Sequence, residues 1–343
     1  MDLKDLKSLE FSELKALTEE IGEPGYRAKQ IFSWLHKGAG FDDMTNISKS
    51  ARQKLSEVSF ISGMRIAQKY VSRLDGTVKY LFEADDGNCV EGVVMRYKHG
   101  ISMCISSQVG CGMGCGFCAS TIGGRVRNLS AGEIISQIIT ARLDMGERID
   151  NIVMMGIGEP LDNYDNVIKF LRNVNHGEGL NIGYRHISLS TCGLVNRIYD
   201  LAEENLPITL SVSLHAPNNE IRGKLMPVNR KFPVEVLIKA CREYIKATGR
   251  RISFEYSLIS GVNDSEENAR ELAELLSGML CHVNLIPVNH VEETGFYKGS
   301  REEINKFRDR LVRLGVNATI RRELGSDISA SCGQLRKRNM RRV

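Results

Sequence analysis

The sequence predicts an α/β fold: a partial (β/α)6 barrel preceded by a small N-terminal helical domain and a β-hairpin extension. Three observations carry that expectation. From residue 101 almost to the C-terminus, short apolar runs alternate with helix-period runs, the pattern of parallel strands with helices outside them. Directly after the first of these strands, cysteines and glycines crowd into one loop. Several polar or glycine-rich motifs then fall where later strands should end, the usual face for a site in such a fold. A doubly wound open sheet is the structural alternative.

Residues 1–60 read as a helical module. Phe11, Leu14, Leu17 and Ile21 share a helical face that Gly22 and Gly25 interrupt, and a second helix is expected over 26–36 with Ala28, Ile31, Phe32 and Leu35 inward. A third is expected near 49–55. Lys15, Arg27, Lys29, Lys37, Lys49, Arg52 and Lys54 leave its outer face basic. That face is either simply solvated or an accessory grip on RNA. Residues 61–100 change to alternation, with strands expected at 65–72, 77–84 and 89–97. Asp75-Gly76 and Asp86-Gly87 are strong hairpin steps between them, so a small antiparallel sheet should lead into the core.

The core is assigned to residues 101–325. A strand at 101–106 enters the cysteine loop, and Ser130 and Glu133 form a capping box before Ile134, Ile135, Ile138 and Ile139. Further strands are expected near 151–155, 186–190, 208–213, 252–256, 282–286 and 317–320, with helices between them. That gives six or seven β/α units. Residues 326–343 form a C-terminal segment in which five of the last eight residues are basic.

Composition is that of an ordinary globular chain: 343 residues, 26% charged and 42% hydrophobic, with a net charge of only +4. No apolar run approaches a membrane span, and the N-terminus has no apolar signal core, so a cytoplasmic setting is expected. In reducing surroundings the nine cysteines read as ligands, catalysts or buried thiols rather than a disulfide framework. Cys89, Cys241 and Cys281 match no motif and read as structural.

The segment Cys104-Ile-Ser-Ser-Gln-Val-Gly-Cys111-Gly-Met-Gly-Cys115-Gly-Phe-Cys118 is the most informative stretch. Soft thiolates gathered in a glycine-rich loop ask for a soft metal or an iron–sulfur cluster. Three thiolates at CxxxCxxC leave one position open. A zinc site completed by Cys104 or a distant cysteine is the competing reading. The spacing resembles the signature of radical S-adenosylmethionine (SAM) enzymes, which implies that Cys111, Cys115 and Cys118 hold a [4Fe-4S] cluster whose fourth iron binds SAM. Gly158-Glu159-Pro160 resembles the motif that holds the SAM amino group in those folds. Ser190, the run Ser213-Leu214-His215 and Asn289 also fall at strand ends and complete the SAM-binding set.

CISSQVGC, CGFCAS, MGIGEP, SVSLHAPNNEIR, HVNLIPVN and DISASCGQL together resemble the RlmN family, over essentially the whole chain. The resemblance implies a radical SAM methyltransferase acting on adenosine C2 in 23S rRNA and in tRNA. It also implies a one-electron donor such as flavodoxin or ferredoxin, and a chain acting as a monomer. By the same resemblance Cys332 carries a methyl group as S-methylcysteine and Cys104 resolves the RNA adduct through a transient disulfide with Cys332. Glu91 accepts the C2 proton. Ser331, Gly333 and Gln334 around Cys332 suggest a mobile carrier. The basic tail Arg336–Arg342, with Arg125 and Arg127, suggests contact with the RNA backbone. One departure is Cys192, where the family carries serine, a size change expected to do little. The close alternative is a Cfr-type enzyme acting on adenine C8. Pro160, where that type usually has alanine, and Ile286-Pro287-Val288-Asn289 favour C2. A zinc-stabilised RNA-binding protein is the non-enzymatic alternative.

Overall fold

Helical periodicity organises the N-terminus. A computed structural model describes residues 3–335 and the backbone of residues 338–339. Helices α1 (Phe11–Glu20), α2 (Arg27–Lys37) and α3 (Lys49–Val58) bury Leu14, Leu17, Ile31, Phe32, Leu35 and Leu55 in a hydrophobic cluster of their own. The stretch ahead of α1 tucks under the core instead. Asp5 accepts from the Ser62 amide (3.0 Å), and the buried Lys7 ammonium donates to Ser136 Oγ (3.2 Å).

Next comes an antiparallel meander of β1 (Met64–Val71), β2 (Val78–Ala84), β3 (Asn88–Tyr97) and β4 (Gly100–Cys104). Its first two reversals fall at the expected Asp-Gly steps, where Gly76 and Gly87 have φ of 72° and 79°, and the third falls between Tyr97 and Gly100. This meander is continuous with the main sheet rather than a separate one, because β4 also pairs in parallel with β5 (Asn151–Met154).

From β4 onward each strand lies parallel to its predecessor: β5, β6 (Ile187–Thr191), β7 (Thr209–Ser213), β8 (Ile252–Leu258), β9 (Cys281–Pro287) and β10 (Ala318–Ile320). Crossovers run through α4 (Ala131–Met145), α5 (Tyr164–Asn175), α6 (Val195–Glu203), the short α7 (Asn219–Leu225) followed by α8 (Val234–Thr248), α9 (Glu266–Leu275) and α10 (Arg301–Arg313). The expected capping box opens α4, with Ser130 and Glu133 each accepting from the other's amide. Strand order follows chain order, and β10 does not pair with β1 among the described residues, so the barrel stays open.

Alternation along the strands sorts the two faces. Leu189, Leu210, Val212, Phe254 and Leu285 are buried in the main core. The other face carries Ser188, Ser211, Ser253, Glu255 and Asn284, bonded to one another inside the barrel: Ser188 to Ser211 at 3.1 Å, Asn284 to Glu255 at 2.8 Å. A polar lumen opening at the strand C-terminal ends is suited to a ligand, not to packing alone.

Gly132, in the first turn of α4, fixes how closely the N-terminal stretch approaches. A Cβ there would lie 2.5 Å from Asp5 Oδ2 and 2.9 Å from Lys7 Cβ. Alanine favours a helix over glycine by about 1 kcal/mol, but overpacking costs about 1–3 kcal/mol. Gly132→Ala is therefore expected to lower the thermal midpoint. A higher midpoint would show that helix propensity dominates at this junction.

Candidate active site

The cysteine loop leaves β4 through Gly110, whose φ of 74° is in the left-handed region. A Cβ there would sit 2.0 Å from the Gly124 carbonyl, so only glycine lets the loop close on itself. Further on, Gly116 donates to the Leu225 carbonyl (2.9 Å), and Thr121 Oγ1 donates to the Cys118 carbonyl (2.9 Å). Met113, Cys115 and Phe117 pack with Leu225, Met226 and Ile259. Cys111, Cys115 and Cys118 all line one cavity at the mouth of the barrel.

Burial holds these three thiols above the ordinary range, and the nearby Cys118 charge raises Cys111 and Cys115 further. A bound cationic centre would reverse that balance and hold them as thiolates. Among the described residues, no three metal-binding side chains are gathered for a single ion. A four-iron cluster binds each thiolate through a different iron, so it does not ask the sulfurs to meet at one point. Three soft donors along one cavity wall therefore fit the cluster that the spacing implied.

The other walls come from strand ends. Gly158, with φ of 107°, brings the backbone against Gln108; a Cβ would lie 2.8 Å from its amide nitrogen. Glu159 is buried, and its carboxylate accepts from the Leu161 amide (3.0 Å) and the Cys192 amide (2.7 Å). Burial raises its pKa and these bonds oppose the rise. Because Cys192 makes this contact through its backbone, serine would make it equally well. Ser190, Ser213, His215 and Asn289 also line the cavity. Leu214 does not, and it contributes only backbone: its amide donates to the Glu255 carbonyl, and its carbonyl accepts from Arg222.

His215 has φ of 58° and is buried. Its Nδ1 accepts from the Ser257 amide (2.8 Å), which leaves the proton of the neutral ring on Nε2. Burial, helped by Arg222, pushes its pKa down to about 3. The imidazole is therefore a neutral donor, not a cation.

Cys332 lines this cavity and also a second one, lined by Cys104, Val93, Met95 and Tyr97. The two cavities share Met155, Ile286, Asn289, Arg321 and Cys332. The segment around Cys332 is held rather than loose, contrary to the mobile carrier expected. Asn289 Nδ2 donates to the Cys332 carbonyl (2.8 Å), the Ala119 amide to the Gly333 carbonyl (2.8 Å), and Ser120 Oγ to the Leu335 carbonyl (2.8 Å). Small residues serve close backbone approach here. Both Cys104 and Cys332 are free thiols, so the disulfide that the resemblance implied is not formed.

Glu91 lines neither cavity, yet it shares their sheet face. Cys104 stands opposite Val93 in the β3–β4 register, and Glu91 lies two residues before Val93, so all three project to one side. Glu91 is buried and meets the buried Lys79 ammonium at 3.6 Å. Arg125 and Arg127 are engaged by carboxylates. Arg125 pairs with Asp162, and Arg127 pairs with Asp86 (2.6 Å) and Glu133 (2.8 Å). The Arg127 charge is largely neutralised within the chain, and that of the more exposed Arg125 only partly. The basic tail falls mostly outside the described residues.

Two arginines were not anticipated. Arg321 lines both cavities and meets Glu255 at 3.8 Å. Arg222 is fully buried and donates to the carbonyls of Leu214 (3.2 Å), Cys192 (2.7 Å), Ser213 (3.3 Å) and Phe232 (3.3 Å) and to Asn229 Oδ1 (3.0 Å). It ties the ends of β6 and β7 to α7. The only sequence signal was that arginine closes the segment SVSLHAPNNEIR. Arg222→Met would strand these acceptors, at a cost of about 3 kcal/mol or more. Arg222→Lys should recover only part of it, because one ammonium cannot reach so many groups. Urea midpoints test this, and an unchanged midpoint for Arg222→Met would refute it.

Comparison with known proteins agrees with this geometry. Residues 105–273 match the radical SAM superfamily, and residues 4–61 match the ribosomal RNA large subunit methyltransferase N-terminal domain. The probable dual-specificity RNA methyltransferase RlmN of Clostridium novyi is 53% identical over 341 residues, covering 99% of each chain. Its counterpart in Alkaliphilus oremlandii is 55% identical with the same coverage. A crystal structure of a radical SAM methyltransferase from Sphaerobacter thermophilus superposes with a TM-score of 0.92 at 45% identity, covering 97% of this chain and 99% of that one. The polar-lined open barrel, the three-cysteine loop and the full-length relatives lead to one conclusion: the chain belongs to the RlmN family of the radical SAM superfamily.

Proposed function

We propose that the chain methylates C2 of adenosine in 23S rRNA, and in tRNA as a second substrate, using Cys332 as the methyl carrier. The observation that supports this reading most is the position of Cys332 in the wall between the SAM-side cavity and the Cys104 cavity. A carrier that must first accept a methyl group from SAM, and later have its sulfur attacked by a second thiol so that the carbon stays on the RNA, needs both exposures.

Adenine C2 is electron-poor and its C–H bond is unactivated, so polar methyl transfer to it fails. When bound, the cluster and SAM together supply a carbon radical able to take a hydrogen atom from a methyl group held on Cys332. The residues of the chain do the rest. The Cys332 thiolate first attacks the methyl carbon of one SAM, forming its S–CH3 bond as the sulfonium S–CH3 bond breaks and S-adenosylhomocysteine leaves. After hydrogen loss, the Cys332 methylene carbon bonds to ring C2. Glu91 takes the C2 proton, the one electron lost from the adduct would pass to the cluster that Cys111, Cys115 and Cys118 would hold, and the Cys104 thiolate attacks the Cys332 sulfur. The S–CH2 bond breaks, an S–S bond forms, and the freed carbon takes up a proton to become the product methyl group. External thiols then reduce the disulfide. Arg321 faces both cysteines. Burial, with the Cys332 charge, pushes the Cys104 thiol up to about 12, and the Arg321 charge opposes that rise. Glu159, Ser190, Ser213, His215 and Asn289 would hold SAM, with the neutral His215 offering Nε2–H. The partners are RNA with its target base extruded, and a one-electron donor in the cytoplasm. No helix among the described residues is long and apolar enough to cross a membrane.

Three measurements test the reading. Protein prepared without oxygen should carry about four irons per chain and release 5′-deoxyadenosine from SAM on reduction. Stoichiometric zinc without iron uptake would favour a zinc-stabilised RNA-binding protein instead. Cys104→Ala should accumulate RNA covalently bound through Cys332, whereas Cys332→Ala should form no adduct; normal methylation by the latter would remove the carrier role. Nucleoside mass spectrometry of treated RNA should show 2-methyladenosine. Elution as 8-methyladenosine would move the assignment to the other ring carbon.

A further inference from the structure

The cluster loop presents an outer edge as well as the cavity side. Gly112, Gly114 and Gly116 are exposed, and they carry no side chains to thicken the polypeptide over the cysteines. The turn that follows α7 packs along this edge. Gly116 donates to the Leu225 carbonyl, a Cβ on Gly114 would sit 3.4 Å from Pro227 Cγ, and Val228 joins the cluster of Met113, Cys115 and Phe117. The same turn ends in Arg230 and Lys231, both exposed, and neither pairs with a carboxylate among the described residues. Lys224, just before the turn, meets only Glu220, in a pair exposed on both sides, which neutralises little at the surface. Arg125 flanks Gly112 on the other side, partly balanced by Asp162.

We propose that this glycine edge with its Arg230–Lys231 rim is the docking surface for an acidic one-electron carrier, a small flavin or iron–sulfur protein. The inference rests on the radical reading above, since only a reducible centre behind these glycines gives an electron carrier reason to dock there. Electron transfer weakens steeply with distance, so the donor must approach where least polypeptide intervenes. A glycine loop is that place. Two cations without carboxylate partners beside it, Lys231 resting over the Phe232 ring, favour a carboxylate-rich partner and would steer its encounter. The contact need only be small and short-lived, as redox encounters are. The base to be methylated has a different destination, because Cys332 lies on the wall shared with the Cys104 cavity.

The test uses a flavodoxin as probe, with two double variants: Arg230→Glu/Lys231→Glu and the milder Arg230→Ala/Lys231→Ala. Lys306→Glu, exposed on α10, is the control. Flavodoxin binding is measured on cluster-free and cluster-loaded protein at low salt. The rate of 5′-deoxyadenosine release is measured with flavodoxin hydroquinone and, separately, with dithionite. Charge reversal should weaken binding and slow the flavodoxin-driven rate by about tenfold, a difference that shrinks as salt rises. The alanine pair should fall between, and the control should match the unsubstituted protein. With dithionite all should run alike. Unchanged flavodoxin binding and rate in the reversed variant would overturn the proposal. An equal loss with dithionite would overturn it too, assigning the turn to the SAM site. Loss of RNA binding with carrier binding intact would assign the rim to RNA phosphates. If the unsubstituted protein releases no 5′-deoxyadenosine with dithionite, the radical reading itself fails, while the binding arm on cluster-free protein still decides the surface.

Discussion

The centre of this molecule depends on how residues 325–335 are held. The hairpin of β1 and β2 grips one side: Gly325 donates to Asp75 (2.9 Å), Asp327 accepts from Ser72 Oγ (2.7 Å) and the Arg73 amide (2.9 Å), and Lys79 donates to the Ser329 carbonyl (3.2 Å). The exit of the cluster loop and Asn289 grip the other side. Each bond contributes about 1 kcal/mol net, but together they span positions some 250 residues apart in sequence. The antiparallel extension thus does more than lengthen the sheet. It is the cradle that sets Cys332 between two cavities.

That placement carries an electrostatic cost, which the lumen offsets. Arg321 sits between the cavities with Glu255 at 3.8 Å, and Glu255 also accepts from Asn284 and Ser253. A buried guanidinium without such partners would be expensive. With them it can remain charged beside two cysteines. Its own pKa is raised, chiefly by the Cys332 charge. Removing a proton from the Cys104 thiol is therefore easier than burial alone allows. Lys79, buried between Glu91 and the Ser329 carbonyl, links the proposed proton acceptor to the same segment.

Much of this was legible because it is local. Strand and helix periods, the Asp-Gly reversals, the Ser130 capping box and the three-cysteine spacing all report on residues a few positions apart. Cys111, Cys115, Cys118, Glu159, Ser190, Ser213, His215 and Asn289 do converge on one cavity. What was not legible is long-range pairing. Nothing near Arg222 or Arg321 in the sequence says which carbonyls or carboxylates will meet them. Arg125 and Arg127 looked free for RNA only because Asp162, Asp86 and Glu133 lie elsewhere in the chain. The looseness read into Ser331 and Gly333 failed for the same reason, since small residues permit tight docking as readily as motion.

Cys192 bears on the number of metal ligands. It lines the same cavity as the three cluster cysteines and Cys332, and as a fourth ligand beside those three it would close a four-thiolate site. A ligand sulfur must be a thiolate. Cys192 is buried, and the Glu159 carboxylate accepts from its amide at 2.7 Å. Burial and that neighbouring negative charge together hold the thiol well above its ordinary range. A second anion beside a buried carboxylate is disfavoured, whereas a neutral S–H can point at it as a weak donor. Serine, the residue the family resemblance implies here, would do the same with a hydroxyl. The exchange thus preserves a neutral donor beside Glu159 and leaves the thiolate count at three. With a four-iron cluster bound, that count would leave one coordination position open for SAM.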